Sequence, residues 1–243
     1  MKLIFIFSFL LSSIGYANYQ LPSNLDVNSQ QVVARTFGFG TGSKMIADPR
    51  PLGGYDGFQT ALSYDYVNVS QIKGLGTGGS NDLYFSSSSM TIGKGLFYDF
   101  DMFIQMSPPQ NNNFSSYGAL LRGRLSSFEM ASSIISIGGL IHTSISQFSN
   151  FFGSNIYGYD LYLYSELKKF VLFIGAGSAR GIHTFGGGAS GLTADSAHET
   201  SRVDLMTSHF WGGVSYQFGR WVVAGVSESY FDPVYSFKAA YNF

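Results

Sequence analysis

From about Gly57 onward the chain alternates apolar and polar positions with a period of two, the signature of strands with unlike faces. Phe58, Leu62, Tyr64 and Tyr66 fall on one side, and Gln59, Ser63 and Asp65 on the other. The pattern recurs in Phe100, Met102, Ile104 and Met106 against Asp101, Phe103 and Gln105. It returns in Tyr117, Ala119, Leu121 and Leu125 against Gly118, Leu120, Arg122 and Arg124, and in Ile135, Ile137, Ile141 and Ile145 against Ser136, Gly138, His142 and Ser144. Tyr157, Tyr159, Leu161 and Leu163 oppose Gly158, Asp160, Tyr162 and Tyr164. The final run sets Tyr235, Phe237, Ala239, Tyr241 and Phe243 against Val234, Ser236, Lys238, Ala240 and Asn242. Segments near 82–93, 170–182, 201–218 and 221–230 add strands with less clean facing. The sum is about ten strands, an even number, as a single-chain membrane barrel requires.

The connections carry a second regularity. Lys168-Lys169 and Gly219-Arg220 are very short, and Phe128 to Ala131 only slightly longer. The alternate connections, Gln71 to Asn81, Ser107 to Asn113, Gln147 to Ser154 and His183 to Thr200, are longer and rich in Gly, Ser and Asn, with Phe231 to Pro233 a short exception. Short turns at one end and long loops at the other predict an all-β antiparallel transmembrane barrel with periplasmic turns and extracellular loops. One strand face is broad, apolar and uncharged while the other carries most strand charges, which favours lipid contact over a secreted sandwich. Aromatics near the strand ends, with small or aliphatic residues between, read as interfacial girdles.

Composition narrows the classes further. Charged residues are only 12% of the chain, 14 basic against 15 acidic, so no basic surface for nucleic acid is expected. There is no cysteine, which removes disulfide scaffolds, thiol catalysis and thiolate metal sites. Met1 to Ala17, MKLIFIFSFLLSSIGYA, has a basic start, an apolar core too short to span a bilayer and a small-x-small end, and is expected to be a signal peptide over residues 1–17.

The ending VYSFKAAYNF resembles the terminal strand of outer-membrane β-barrel proteins of diderm bacteria, with Phe243 last and Tyr241, Phe237 and Tyr235 on its face. The resemblance implies a location in the bacterial outer membrane, surrounded by its lipid, and an assembly signal in Tyr235, Phe237, Tyr241 and Phe243. That signal is read by the barrel-assembly machinery through strand pairing. The stretches Ser43 to Gly57 and Gly93-Lys94-Gly95-Leu96 look like recurring turn elements of uncharacterised barrels and imply no activity.

Eight strands enclose only side chains and open channels need about 16, so about ten predict a plugged lumen or a thin polar path. Tight hairpins place Asp101 across from Arg122 and Arg124 two strands from Glu166, with small Ser136 and Gly138 between. A lumen cluster of Asp101, Arg122, Arg124 and Glu166 follows, either neutralising itself or forming a constriction. His142, Ser144 and Asp160 form the one hydrolase-like group, and His-x-Ser on a strand resembles the outer-membrane lipid A deacylases. That resemblance implies ester cleavage, yet the residues share the inward face while lipid arrives from outside. His183, Asp195, His198 and Glu199 read as loop polarity, and His209 as a solitary wall residue beside Trp211; neither a metal site nor a cofactor is expected. Gly38, Gly40 and Gly42 lack the lysine-serine ending of a phosphate loop.

Residues 18–56 stand apart, with Pro22, Pro49 and Pro51 and a brief apolar patch at Val32-Val33. They are expected to enter from the periplasm as a lumen plug, with Arg35 or Lys44 meeting carboxylates, to trail as a periplasmic arm, or to add a strand pair making about twelve. Residues 57–243 form the barrel. Function is expected to be structural or a narrow pore for small polar solutes, with ester hydrolysis or adhesin-like binding through loops 71–81 and 183–200 as alternatives.

Overall fold

The computed structural model describes residues 19–42, 47–107, 114–130, 133–149, 151–187, 192–193 and 200–243. The expected leader, Lys44, Asp195, His198 and Glu199 lie outside these residues. Ten strands run in chain order: β1 Phe58–Asn68, β2 Tyr84–Gly95, β3 Phe100–Ser107, β4 Phe114–Met130, β5 Ser133–Phe148, β6 Phe152–Leu167, β7 Phe170–Phe185, β8 Ser201–Phe218, β9 Trp221–Ser229 and β10 Pro233–Asn242. Each pairs antiparallel with its sequence neighbours, and β10 returns to β1, so the sheet closes. Closure satisfies every edge, the condition for a sheet to cross a bilayer.

Two-residue connections join β6 to β7 and β8 to β9, with Lys168 at φ 57° and Gly219 at φ 61°, the left-handed geometry that tight hairpins use. Several strands outrun the boundaries read from sequence. β5 reaches Phe148 and β6 starts at Phe152, so the connection expected over Gln147–Ser154 is short; β7 reaches Phe185, so His183 belongs to the wall. β4 carries a bulge between Arg124 and Ser126, which shifts every later pairing with β5 by one.

No extra strand pair forms before β1 among the described residues. Instead the leading segment runs through the barrel. At the long-loop end Ser23 pairs with Thr77 of the β1–β2 connection, the two backbone hydrogen bonds measuring 2.8 and 2.9 Å, and the amide of Leu25 donates to the carbonyl of Leu192 at 2.8 Å. Helix α1, Val27–Val33, starts at Asp26, whose carboxylate accepts from the Ser29 amide at 2.7 Å. That hydrogen bond holds the Asp26 carboxyl below the usual carboxylate range. The helix continues as π-helical turns over Ala34–Gly38. Residues 48–57 then emerge at the short-turn end, where the Gly95 amide donates to the Gly57 carbonyl and β1 begins. The described parts of the arm thus meet both mouths of the barrel, the first of them at the long-loop end.

Candidate functional site

The chemistry of this chain lies inside the barrel, in three layers along the arm. The layer nearest the long loops is apolar. Phe37 is fully buried, its ring centroid 4.9 to 6.1 Å from those of Tyr19, Phe85, Phe114, Phe148 and Phe152. Val33, Ala34, Phe185 and Val203 complete this core. Tyr19 is packed so closely that burial, with the charge of Asp82 adding to it, pushes its phenol well above the ordinary value. The arm's Arg35, expected to meet a lumen carboxylate, lies over the Phe231 ring at 5.1 Å. Thr36 meets the loop instead, donating to Asp232 at 2.8 Å.

The middle layer is polar and built on strand register. Asp160 of β6 is level with Gly177 of β7, which is level with His209 of β8, so carboxylate and imidazole meet across a residue with no side chain. A Cβ on Gly177 would stand 1.7 Å from Asp160 Oδ1. Gly158 plays the same part for His142, whose Nε2 would lie 2.1 Å from a Cβ there. His142 Nε2 is 3.7 Å from Asp160 Oδ2, and His209 Nδ1 is 3.0 Å from Glu228 Oε1 of β9. Tyr230 stacks on the His209 ring at 4.3 Å, and Phe39 of the arm stacks on Tyr230 at 5.4 Å. His183 packs against Phe39 and Phe152 higher in the wall.

The lower layer is an ion pair that holds the arm. Asp101 and Arg122 are directly paired across β3 and β4, with side chains 0% and 1% exposed, Arg122 Nε donating to Asp101 Oδ2 at 2.9 Å. Arg122 also donates to the carbonyls of Asp48 and Arg50, the latter at 2.6 Å, and Asp101 accepts from the Leu52 amide at 3.1 Å. The guanidinium lies 4.8 Å from the Phe103 ring centroid. Arg50 meanwhile pairs with Asp48 within the arm.

The four-charge cluster expected from tight hairpins does not assemble. Arg124 reaches back to Asp99 in the β2–β3 turn, at 2.7 Å. Facing Arg124 is Gly138, and beyond that the Tyr162 ring, so Glu166 lies farther down β6, toward Arg50. Longer strands and the bulge changed the register that simple hairpin counting assumed. The hydrolase-like trio is divided as well. His142 faces Asp160, but Ser144 Oγ is buried with no hydrogen-bond partner among the described residues, close against Gly42 of the arm. Base and nucleophile are thus not in contact. His209, read as solitary, sits between two carboxylates. Glu228 and the arm's Asp48 and Arg50 were missed. Gly177, an inward glycine level with Asp160, was the available signal.

The outer wall is apolar. Met102, Ile104, Ile141, Ile145, Tyr159, Leu161 and Ile174 all point outward and exposed, as do Tyr235, Phe237 and Phe243 of the last strand; Tyr241 packs between Trp221 and Phe243. Arg180 and Asp204 are outward exceptions and pair with each other at 2.6 Å. Among the described residues no helix is long and apolar enough to cross a membrane; the strands do the crossing. A closed cylinder with polar groups inside and a greasy exterior is stable only in lipid. The protein is a closed ten-stranded β-barrel of the transmembrane type.

No protein-family description matches the chain, and no curated protein does. Among solved structures it is similar to Ail, the attachment invasion locus protein of Yersinia pestis, at 10% identity over 77% of this chain and 98% of that one, TM-score 0.32. It is similar to the N-terminal β-barrel domain of Pseudomonas aeruginosa OprF at 9% identity over 78% and 99%, TM-score 0.34. The KdgM porin gives 10% identity over 77% and 99%, TM-score 0.35.

The wall makes a direct prediction. Leu161, 63% exposed near the middle of β6, is expected to lie close to the bilayer midplane. Leu161→Arg should therefore destabilise the barrel by about 2–4 kcal/mol in lipid vesicles. Reversible urea unfolding measures this, and an unchanged free energy would place that face away from lipid tails.

Proposed function

We propose that the protein is a closed, structural outer-membrane barrel, sealed by its own N-terminal segment and displaying the start of that segment among its extracellular loops. The observation that carries this reading is the arm itself, which packs an aromatic core at one end of the lumen and is tied to Arg122 at the other. A standing pore for small polar solutes needs a continuous wet path. Here the inward positions include Phe103, Tyr162, Phe173 and Trp211, large rings that pack together across the lower lumen. In this reading the last strand is also the segment that the assembly machinery pairs with, before β10 closes on β1.

Planar bilayers test the proposal. The full chain, reconstituted at neutral pH, is expected to leave the baseline conductance unchanged over a wide voltage range. Stepwise openings of the unmodified chain would overturn the closed reading in favour of a pore.

A further inference from the structure

We propose that His142, Asp160 and His209 bind a divalent transition-metal ion such as Zn²⁺ inside the barrel, with Glu228 holding His209 in place. Each residue offers one ligand atom, and these atoms lie within 4.8 Å of one another in a fully buried setting. Metal–ligand bonds of about 2.0–2.1 Å put tetrahedral ligand atoms roughly 3.3 Å apart. The 3.7 Å between His142 Nε2 and Asp160 Oδ2 is too long for a hydrogen bond and close to that spacing. His209 offers Nε2 toward Asp160 while its Nδ1 meets Glu228 at 3.0 Å. A ligating imidazole commonly has its other nitrogen bound by a carboxylate, which fixes tautomer and ring orientation.

Charge supports the same ion. Asp160 supplies an anionic ligand with Glu228 as a second carboxylate behind His209, so a divalent cation is matched in charge while both imidazoles ligate in their neutral form. Two imidazoles and a carboxylate suit zinc or its neighbours, whereas calcium takes six to eight oxygen ligands. The space is made by glycine: a Cβ at Gly158 or Gly177 would strike His142 or Asp160. Tyr230 and Phe39 stack over His209 on the arm side, so the ion acts as a clasp joining β5, β6 and β8. The inference stands on strand register alone and is independent of whether the lumen conducts.

The test folds the untagged full chain from denaturant into detergent micelles with Zn²⁺ present, then dialyses it and measures zinc by mass spectrometry. One zinc per chain is expected in the parent and in Asp204→Asn, a control on the outer wall. His142→Ala and His209→Ala should retain none, and Glu228→Gln should bind roughly 10–100-fold more weakly. Co²⁺ in place of Zn²⁺ should give the intense visible bands of a low-coordinate site. If an alanine variant fails to fold, His142→Gln and the thermal midpoint of the parent decide the matter, the midpoint rising with added Zn²⁺. A parent chain that retains no zinc, or a midpoint that zinc leaves unmoved, overturns the site, as does equal retention by parent and folded His142 variants.

Discussion

Arg122→Ala is expected to produce the largest loss of stability of any single polar substitution named here, about 3–5 kcal/mol, because it strands a buried carboxylate. Asp101 has no exposed surface, and without Arg122 it keeps the hydrogen bond from the Leu52 amide. The same change removes the donor that holds the carbonyls of Asp48 and Arg50. The arm should then leave its seat at the short-turn mouth, and chymotrypsin should cut after Leu52 faster than in the parent. Urea unfolding followed by tryptophan fluorescence gives the energy, and the digestion rate gives the local release. Replacing both partners, Arg122→Met with Asp101→Leu, should recover much of the stability, since an apolar pair carries no stranded charge. Recovery should stop short of the parent because the two arm carbonyls still lack their donor. Equal stability of parent and Arg122→Ala would mean the pair is wet.

Phe37→Ala is expected to cost about 3–5 kcal/mol by a different route, deletion of a buried ring with little room for collapse around it. Its neighbours come from the arm and from β2, β4, β5 and β6, so no single adjustment fills the gap. Phe37→Leu should lose far less, because most of the volume is kept. The double variant Phe37→Ala, Arg122→Ala distinguishes two pictures of the arm. The residues share no partner, so independent seats give additive losses to within about 0.5 kcal/mol. If the arm leaves the lumen as one unit once either end is loosened, the combined loss falls clearly below the sum. Bilayer recordings of the double variant then report whether an emptied lumen conducts.

Much of the wall was legible in the sequence. Period-two alternation marked which side of β3, β5, β6 and β10 meets lipid, and the exposed Ile104, Ile141, Leu161 and Phe237 lie on that side. The Asp101–Arg122 contact was legible too, because a single hairpin separates the two residues and a register carried across one connection accumulates little error. Arg124 shows where that logic ends. β4 and β5 pair as far as Met130 and Ser133, farther than alternation suggested, so Arg124 is level with Gly138 and Tyr162, four positions from Glu166, and pairs with Asp99 instead. His142 with Asp160 was within reach of the same reasoning, whereas His209 and Glu228 required registers carried through two and three further strands.

The arm marks the other boundary. Prolines and a short apolar patch said only that residues 18–56 are unlike the strands. Their place in the lumen depends on the hole that ten closed strands leave and on the rings that line it.

The sequence by itself determined the outside of this protein: strand count, facing, and the apolar band, all of which follow from the chemistry of each residue and its nearest neighbours along the chain. Beyond the Asp101–Arg122 pair, tertiary structure decided the inside. Which charges meet, where the histidines gather and what fills the cylinder depend on cumulative register around a closed sheet, and a one-residue slip in any strand changes each of them.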